Sequence, residues 1–481
     1  MKILKYQMLF LFAVLPLIAA SQEEPEAQFL KNRNDFVDTI PYVVVNADRP
    51  QWTISKYLNG SHFVYAFEND ALYKDESIAK WMQDSKTAII RWPGGTVVQY
   101  YHWDDLNGIP FKNDSWDPDY NGETLSGDNF MDLDEYIAFC RKANTEPMVG
   151  LNLRSGKAYN RLGESLDEAR RLITYCKEKN YNVKHWYMGN EGYAKGFKAK
   201  EYAAYIDQYA KVLKSVDPDI EIIGDWKFGP YKKNRFEESI DIAKISKEVD
   251  VLEFHEKWGN IWGLKSGHTV EEWRNEFPLY DGKLTTLLQR LKDETRRANK
   301  TVKFGFNEWG LGDIKGAQEY DYAIIAADFM LEMFKNDVYQ ACYWNLNAGK
   351  RKSRVFNTNE EGTKLLHFNP IADVFKMFST ALQKEYLYVL SNDKSIYGFG
   401  AKDVQTGSVT VYLLNKNEKD TLMKLGVFGF GVSNAKITIE RFSNPGTIDS
   451  KTLENANMNK KVHELELPPY SLSKITISPL M

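Results

Sequence analysis

The chain has 481 residues, 62 Lys+Arg against 66 Asp+Glu, a net charge of -4, 43% hydrophobic and 27% charged residues. This ordinary globular composition excludes a disordered, collagenous or coiled-coil chain, and the near-balance of charge excludes a protein that coats nucleic acid, which carries a basic excess. The length fits two or three domains at roughly 100–200 residues each, and the 12 Trp, 28 Tyr and 26 Phe supply rings for a core or for the walls of a ligand site.

Residues 1–21 read as a secretory signal. Lys2 and Lys5 precede an apolar run, Met8–Ile18, then Ala19-Ala20-Ser21 gives a small-residue cleavage point and Gln22-Glu23-Glu24 turns polar. The run is shorter than the ~20 residues of a membrane helix, so the mature protein is expected to be secreted or periplasmic, with no membrane span. Cys140, Cys176 and Cys342 are odd in number and widely spaced, which predicts buried free thiols rather than a disulfide framework.

Residues 22–52 form an N-terminal segment in which Tyr42–Asn46 can add a strand to the C-terminal domain. From 53 to 382, apolar strands alternate with helical patterns. The strands are Ser61–Phe67, Thr87–Arg91, Pro147–Leu151, Val183–Met188, Glu221–Gly224, Val251–Phe254, Val302–Phe306 and Gln340–Trp344. The helices include Leu133–Ala143, Ser165–Lys179, Ala199–Ser215, Leu284–Ala298 and Tyr320–Phe334. Eight such units predict an α/β fold, a TIM (β/α)8 barrel with a parallel sheet. The alternative, a doubly wound open sheet, is disfavoured because no glycine-rich phosphate loop follows the first strand. After a last helix over Ile371–Leu382 the period changes. Ser408–Leu414, Ala435–Phe442 and Ser473–Ile477 alternate apolar and polar between Gly, Asn, Asp and Pro breakers, as an antiparallel β-sandwich over 383–481 does.

Barrel enzymes carry their chemistry at the C-terminal ends of the strands. Strand 4 runs into Gly189-Asn190-Glu191, and strand 7 into Asn307-Glu308-Trp309. Two strand-end glutamates, far apart in sequence, can meet across one barrel mouth. Glycoside hydrolysis needs such a pair, one protonated acid and one ionised carboxylate. Trp92, Trp103, Trp226, Trp258, Trp309 and Trp344 also fall at or just beyond strand ends. Such rings are either core residues or surfaces that stack on sugars, and all but Trp226 are candidate substrate contacts. Arg154, Lys157, Lys227, Lys257 and Lys350–Arg354 follow strands 3, 5, 6 and 8. They read either as solvated loop charges or as a match for an anionic polysaccharide. The acidic loop Asn113–Asp134 lacks EF-hand spacing.

The sequence resembles the α-L-arabinofuranosidases of glycoside hydrolase family 51, within the retaining clan A. The resemblance runs from Ile54-Ser55-Lys56-Tyr57-Leu58-Asn59-Gly60-Ser61-His62-Phe63 through Arg91-Trp92-Pro93-Gly94-Gly95-Thr96 and Tyr101-His102-Trp103-Asp104-Asp105. It continues through Glu146–Leu153, Gly189-Asn190-Glu191 and Val216–Ile220 to Asn307-Glu308-Trp309. It implies Glu191 as acid/base, Glu308 as nucleophile, Arg91 as the donor that keeps the nucleophile ionised, Asn190 on the sugar 2-hydroxyl and His255 beside the nucleophile. Departures fall at sugar-contacting positions: Thr96 for a family Asn, Tyr65 for a Glu, Asn307 for an Asp, and Glu256-Lys257-Trp258 for an aromatic pair.

The resulting expectation is a secreted retaining glycoside hydrolase acting on a polysaccharide or oligosaccharide, arabinofuranosidase-like, needing no metal or cofactor. A hydrolase of a sulfated or uronate-bearing polysaccharide, such as an algal galactan, and a non-catalytic carbohydrate-binding barrel are the alternatives. The partner is a carbohydrate substrate, not nucleic acid.

Overall fold

The computed structural model describes residues 40–65, 68–104, 114–120, 130–228, 233–258, 268–347, 352–460 and 462–480. The expected signal over 1–21 lies outside them, as do Lys350 and Arg351.

Eight parallel strands close a barrel: β2 (Tyr57–His62), β3 (Ile89–Trp92), β4 (Glu146–Leu151), β5 (His185–Met188), β6 (Glu221–Lys227), β7 (Val251–Trp258), β8 (Lys303–Leu311) and β9 (Gln340–Tyr343). Closure pairs Gly60 with Cys342 and Ser61 with Tyr343. At Gly60 a Cβ would stand 2.4 Å from the Ala341 carbonyl oxygen, so the seam admits only glycine. Helices surround the strands and begin where capping chemistry starts them. The helix Leu133–Ala143 opens on an Asp132/Glu135 capping box that satisfies two free amides. Among the described residues, no helix is long and apolar enough to cross a membrane. The three cysteines are free and buried.

The first strand ends at His62, earlier than expected. Phe63, Val64 and Tyr65 continue the apolar run beyond the strand and are buried, with the Phe63 amide donating to the Arg91 carbonyl and the Tyr65 amide to that of Pro93. The sixth and seventh barrel strands, β7 and β8, run past their expected ends to Trp258 and Leu311. Their register shifts between Glu253 and His255. Glu253 faces Gly305, but His255 faces Glu308, so β8 holds one extra residue there. Such a bulge re-aims side chains, and here it sets Glu308 opposite His255.

The C-terminal part is one nine-stranded, mainly antiparallel sheet. Beside β1 (Tyr42–Asn46) it holds β12 (Glu385–Ser391), β13 (Ile396–Lys402), β14 (Val409–Asn415), β15 (Thr421–Phe428), β16 (Asn434–Ser443), β17 (Thr447–Asn457), β18 (Val462–Leu467) and β19 (Ser471–Pro479). The small hairpin β10 (Phe356–Thr358) and β11 (Leu365–Phe368) stands apart. In the order β17-β16-β19-β14-β13-β12-β1-β15-β18, β1 joins two halves, antiparallel to β12 and parallel to β15. Alternate residues such as Val43, Leu387, Val411, Leu425, Ile437 and Ile475 form its own core. The helix Glu319–Lys335 lies between barrel and sheet, buried almost all round. From it Asp328 reaches Lys416, fully buried, at 2.9 Å, with the ammonium over the Trp273 ring at 4.5 Å.

Candidate active site

Arg91, at the end of β3, is wholly buried. Its Nη1 donates to Glu308 Oε1 at 2.8 Å, and its Nη2 donates to Asn190 Oδ1 at 2.8 Å and to Asp225 Oδ2 at 3.4 Å. The guanidinium lies over the Tyr187 ring at 4.2 Å, and the Tyr187 hydroxyl accepts from the Gly94 amide. One side chain thus ties together β3, β6, β8 and the turn after β5.

The two glutamates meet at His255. Its Nδ1 is 3.0 Å from Glu191 Oε1 and 3.4 Å from Glu308 Oε2, and its Nε2 is 2.9 Å from Asp225 Oδ2. Glu191 has the left-handed backbone conformation, φ +49°, a costly choice for a non-glycine residue. That twist turns its carboxylate into the mouth, where it also accepts from the Tyr193 hydroxyl at 2.6 Å. The Glu191 side chain is 31% exposed and the Glu308 side chain 6%, so one carboxylate faces the opening and the other lies beneath it.

The electrostatics follow from this packing. Burial opposes ionisation of Glu308, but the charges of His255, Lys257 and Arg91 and a hydrogen bond from His62 overcome it and hold the carboxyl well below its usual range. Burial likewise opposes ionisation of Glu191, and the hydrogen bond and charge of His255 bring it down to about 2. His255 is itself pushed up to about 10: burial disfavours its charge, but the charges of Asp225 and Glu308 and the hydrogen bond to Glu191 prevail. His62 goes the other way, to about 3, because burial and the adjacent Arg91 both oppose a second cation.

The residues expected at the site divide clearly. Glu191, Glu308, Arg91, Asn190 and His255 come together. Lys257 joins them, 3.6 Å from Glu308 Oε2, with its ammonium 4.7 Å from the centre of the Trp344 ring. Trp344 is half-buried and meets His62 edge-on at 4.6 Å. Gly95, with φ +42°, leaves the space that Trp344 covers: a Cβ there would sit 3.1 Å from its ring and 4.0 Å from Glu308 Oε1.

Trp92, Trp258 and Trp309 are corrected to packing residues. All three are wholly buried. Trp92 stacks on Tyr136 and donates to the Met131 carbonyl, Trp258 stacks on His268 and donates to Glu276, and Trp309 stacks on Phe329. The reason is alternation. Each neighbours an inward residue, Arg91, Lys257 or Glu308, so its own ring points out toward the helices. Trp226 is buried against Tyr202 in the same way. Trp103 packs on Tyr175 and donates to the Glu168 carbonyl, away from the glutamates.

Most of the expected loop cations are already paired. Arg154 is held by Asp114 and Lys157 by Glu201, while Lys352 donates to the Ala317 carbonyl. Asp114, from the acidic loop, also takes His102 and Ser155. Lys227 lies over the Tyr193 ring at 5.1 Å, so it and Lys257 are the expected cations nearest the carboxylates among the described residues.

Asp225, His62 and Tyr193 were not singled out as site residues by sequence. The apolar run of the fifth strand stops at Gly224, one residue before Asp225, whereas the strand itself continues to Lys227. His62 stands in the first-strand motif, one residue before its final Phe63. Tyr193 has no sequence signal beyond nearness to Glu191.

The chain is similar to known proteins in sequence and in fold. A family model described as an alpha-L-arabinofuranosidase 1 domain matches residues 81–261. Alpha-L-arabinofuranosidase C of Emericella nidulans is 31% identical over 175 residues, 32% of this chain and 33% of that protein. The intracellular exo-alpha-(1->5)-L-arabinofuranosidase 1 of Bacillus subtilis is 26% identical over 267 residues, 51% of this chain and 50% of that one. The chain thus spans between a third and a half of the curated relatives it matches. In fold, alpha-L-arabinofuranosidase of Thermotoga maritima superposes with a TM-score of 0.69 at 18% identity, covering 91% of this chain and 100% of that one. The family 51 enzyme of Thermotoga petrophila gives 0.70 over the same shares, at 18% identity. The chain therefore resembles the family 51 α-L-arabinofuranosidases of the retaining clan A, in sequence across much of the barrel and in fold across nearly its whole described length.

Proposed function

We propose that the protein is a retaining glycoside hydrolase, arabinofuranosidase-like, with Glu308 as nucleophile and Glu191 as acid/base. The observation that carries this is the imidazole nitrogen shared by the two carboxylates. Contacts of 3.0 and 3.4 Å to one atom keep their nearest oxygens closer than their sum. That suits the ~5–5.5 Å separation of a retaining pair better than the ~6.5–9.5 Å that leaves room for an inverting water.

The roles follow from surroundings. A nucleophile must be ionised, and Glu308 is buried among Arg91, His255 and Lys257. An acid/base must reach the leaving group, and Glu191 is the carboxylate at the opening. In the first half-reaction a Glu308 oxygen attacks the anomeric carbon while the glycosidic oxygen takes the bonding pair and a proton from Glu191. In the second, water gives a proton back to Glu191 as it displaces Glu308. Asn190, fixed by Arg91, and Trp344 are proposed substrate contacts. The anionic-polymer alternative loses support because Arg154 and Lys157 are already neutralised, and a pure binding barrel has no use for a nucleophile held ionised.

We further propose export by residues 1–21, supported by their composition, although the Bacillus relative is named intracellular; the proposed divisions are 22–52, 53–382 for the catalytic barrel and 383–481 for the sheet domain.

The test is hydrolysis of aryl α-L-arabinofuranosides. Glu308→Ala should abolish turnover. Glu191→Ala should lose most on poor leaving groups, which need protonation, by about 10²–10⁴-fold, with azide restoring turnover of activated ones. Equal loss on all leaving groups and no azide adduct would refute the assignment.

A further inference from the structure

We propose that His255 stores the proton that Glu191 delivers, as an imidazolium fixed by Asp225; this rests on the reading of Glu191 as acid/base. The site as packed has a deficit that calls for such a store. Arg91 and Lys257 crowd the carboxylates, and each cation favours ionised glutamates. A retaining cycle nevertheless starts with one proton at the leaving group. The proton best placed to supply it lies on His255 Nδ1, 3.0 Å from Glu191 Oε1. Tyr193 donates to the same oxygen, but burial and the charge of Glu191 push its phenol far above neutrality, so it is a poor source.

Asp225 explains why the imidazole can keep that proton. It is wholly buried on β6, and its Oδ2 faces both His255 Nε2 and Arg91. Its Oδ1 has no hydrogen-bond partner. A carboxylate in that position is costly unless it pairs with cations, and the imidazolium is the nearer of the two. The groups facing His255 are Glu191 and Tyr193 from the turn after β5, Asp225 from β6, Glu308 from β8, Arg91 from β3, His62 from β2, and Glu253 and Lys257 on its own strand. His62 is held neutral by burial and Arg91, and burial pushes the Glu253 carboxyl upward. The charges in contact with the ring are therefore chiefly carboxylates.

The step balances. His255 Nδ1–H moves to Glu191 Oε1, leaving a neutral imidazole. The Glu191 O–H passes to the glycosidic oxygen, which takes the C–O pair as Glu308 bonds to the anomeric carbon. In the second half-reaction the attacking water loses a proton to Glu191, and it returns to Nδ1. Proton-bearing His255–Glu191 is then one titrating unit, and Asp225 is a positioning residue that sets how high in pH the unit holds its proton.

The test combines ¹⁵N NMR of histidine-labelled protein with pH–rate profiles of Asp225→Asn. The wild-type protein should show His255 as an imidazolium at pH 8, and the variant should show it neutral. The basic limb of kcat/KM on a poor leaving group should fall by about one pH unit or more in the variant. The penalty should be smaller on a dinitrophenyl glycoside, which needs little protonation. A neutral His255 at pH 8 in the wild-type protein would overturn the proposal without any variant. So would a folded Asp225→Asn protein with an unmoved limb. Absence of glycosidase activity in the wild-type protein would overturn the parent reading instead, and the NMR result separates the two.

Discussion

Arg91 is a cation with no solvent exposure, tolerated because its terminal nitrogens reach Glu308, Asn190 and Asp225. A planar fork holds its donors on two separate nitrogens at fixed positions, whereas an ammonium donates from a single atom on a flexible stem and cannot span the same acceptors. Arg91→Lys should therefore reduce kcat/KM by about 10²–10³-fold, the scale for losing one preorganised donor at a charged site. The acid limb gives the sign. Glu308 is active when ionised, and its cationic neighbours depress its pKa, so activity persists into acid. A weaker clamp lets that pKa rise, and the limb should move to higher pH. An unmoved limb with a reduced rate would mean that Arg91 serves geometry alone. Single residues also show what the sequence could reveal. Glu191 and Glu308 were legible because strand ends expose polar side chains in apolar runs, and Arg91 through the family resemblance of its Arg-Trp-Pro-Gly-Gly segment. The tryptophans were less so, since a ring one position along a strand points to the opposite face, and a one-residue difference in strand phase separates Trp344 at the site from Trp309 in the core.

At the scale of elements, the site depends on small residues where strands approach. A Cβ on Gly150 of β4 would lie 2.2 Å from the Tyr187 ring, the ring that supports the Arg91 guanidinium. Gly150→Ala touches neither glutamate, yet it must displace Tyr187. It should cost about 1–3 kcal/mol of stability, as overpacking does. It should also lower kcat, through the Arg91 tilt, more than it raises KM. Thermal melts and steady-state kinetics on one preparation check both; unchanged kcat would show that Tyr187 does not carry the displacement. The barrel strands themselves were readable from periodicity, but their ends were not. β6, β7 and β8 continue through Asp225, His255 and Glu308 because their polar residues pair inside the barrel, whereas a hydrophobicity pattern stops at the first polar residue. The bulge in β8 left no sequence trace, since it depends on register with β7.

Across the whole molecule, barrel and sheet are joined by a charged pair buried under aromatic rings. Lys416 and Asp328 are both fully buried, with Trp273 and Tyr397 against them. Removing one partner strands the other charge, so Lys416→Met should destabilise the protein by about 3–5 kcal/mol. Asp328→Leu with Lys416→Met should recover much of that. Denaturant unfolding of the single and double variants checks this, and equal loss in both would show that the pair acts through shape rather than charge.

Strand β1 has a consequence for the order of assembly. It leaves the ribosome long before its hydrogen-bond partners, Val389–Ser391 on one side and Lys424–Phe428 on the other. Until those residues are made, β1 has no neighbour and the two halves of the nine-stranded sheet have no link. A nascent barrel can begin to pack, but the sheet closes around β1 only after the strands that follow the barrel have been made. Strand β1 therefore waits, with its amides and carbonyls unpaired by any neighbour strand, until its two partners arrive.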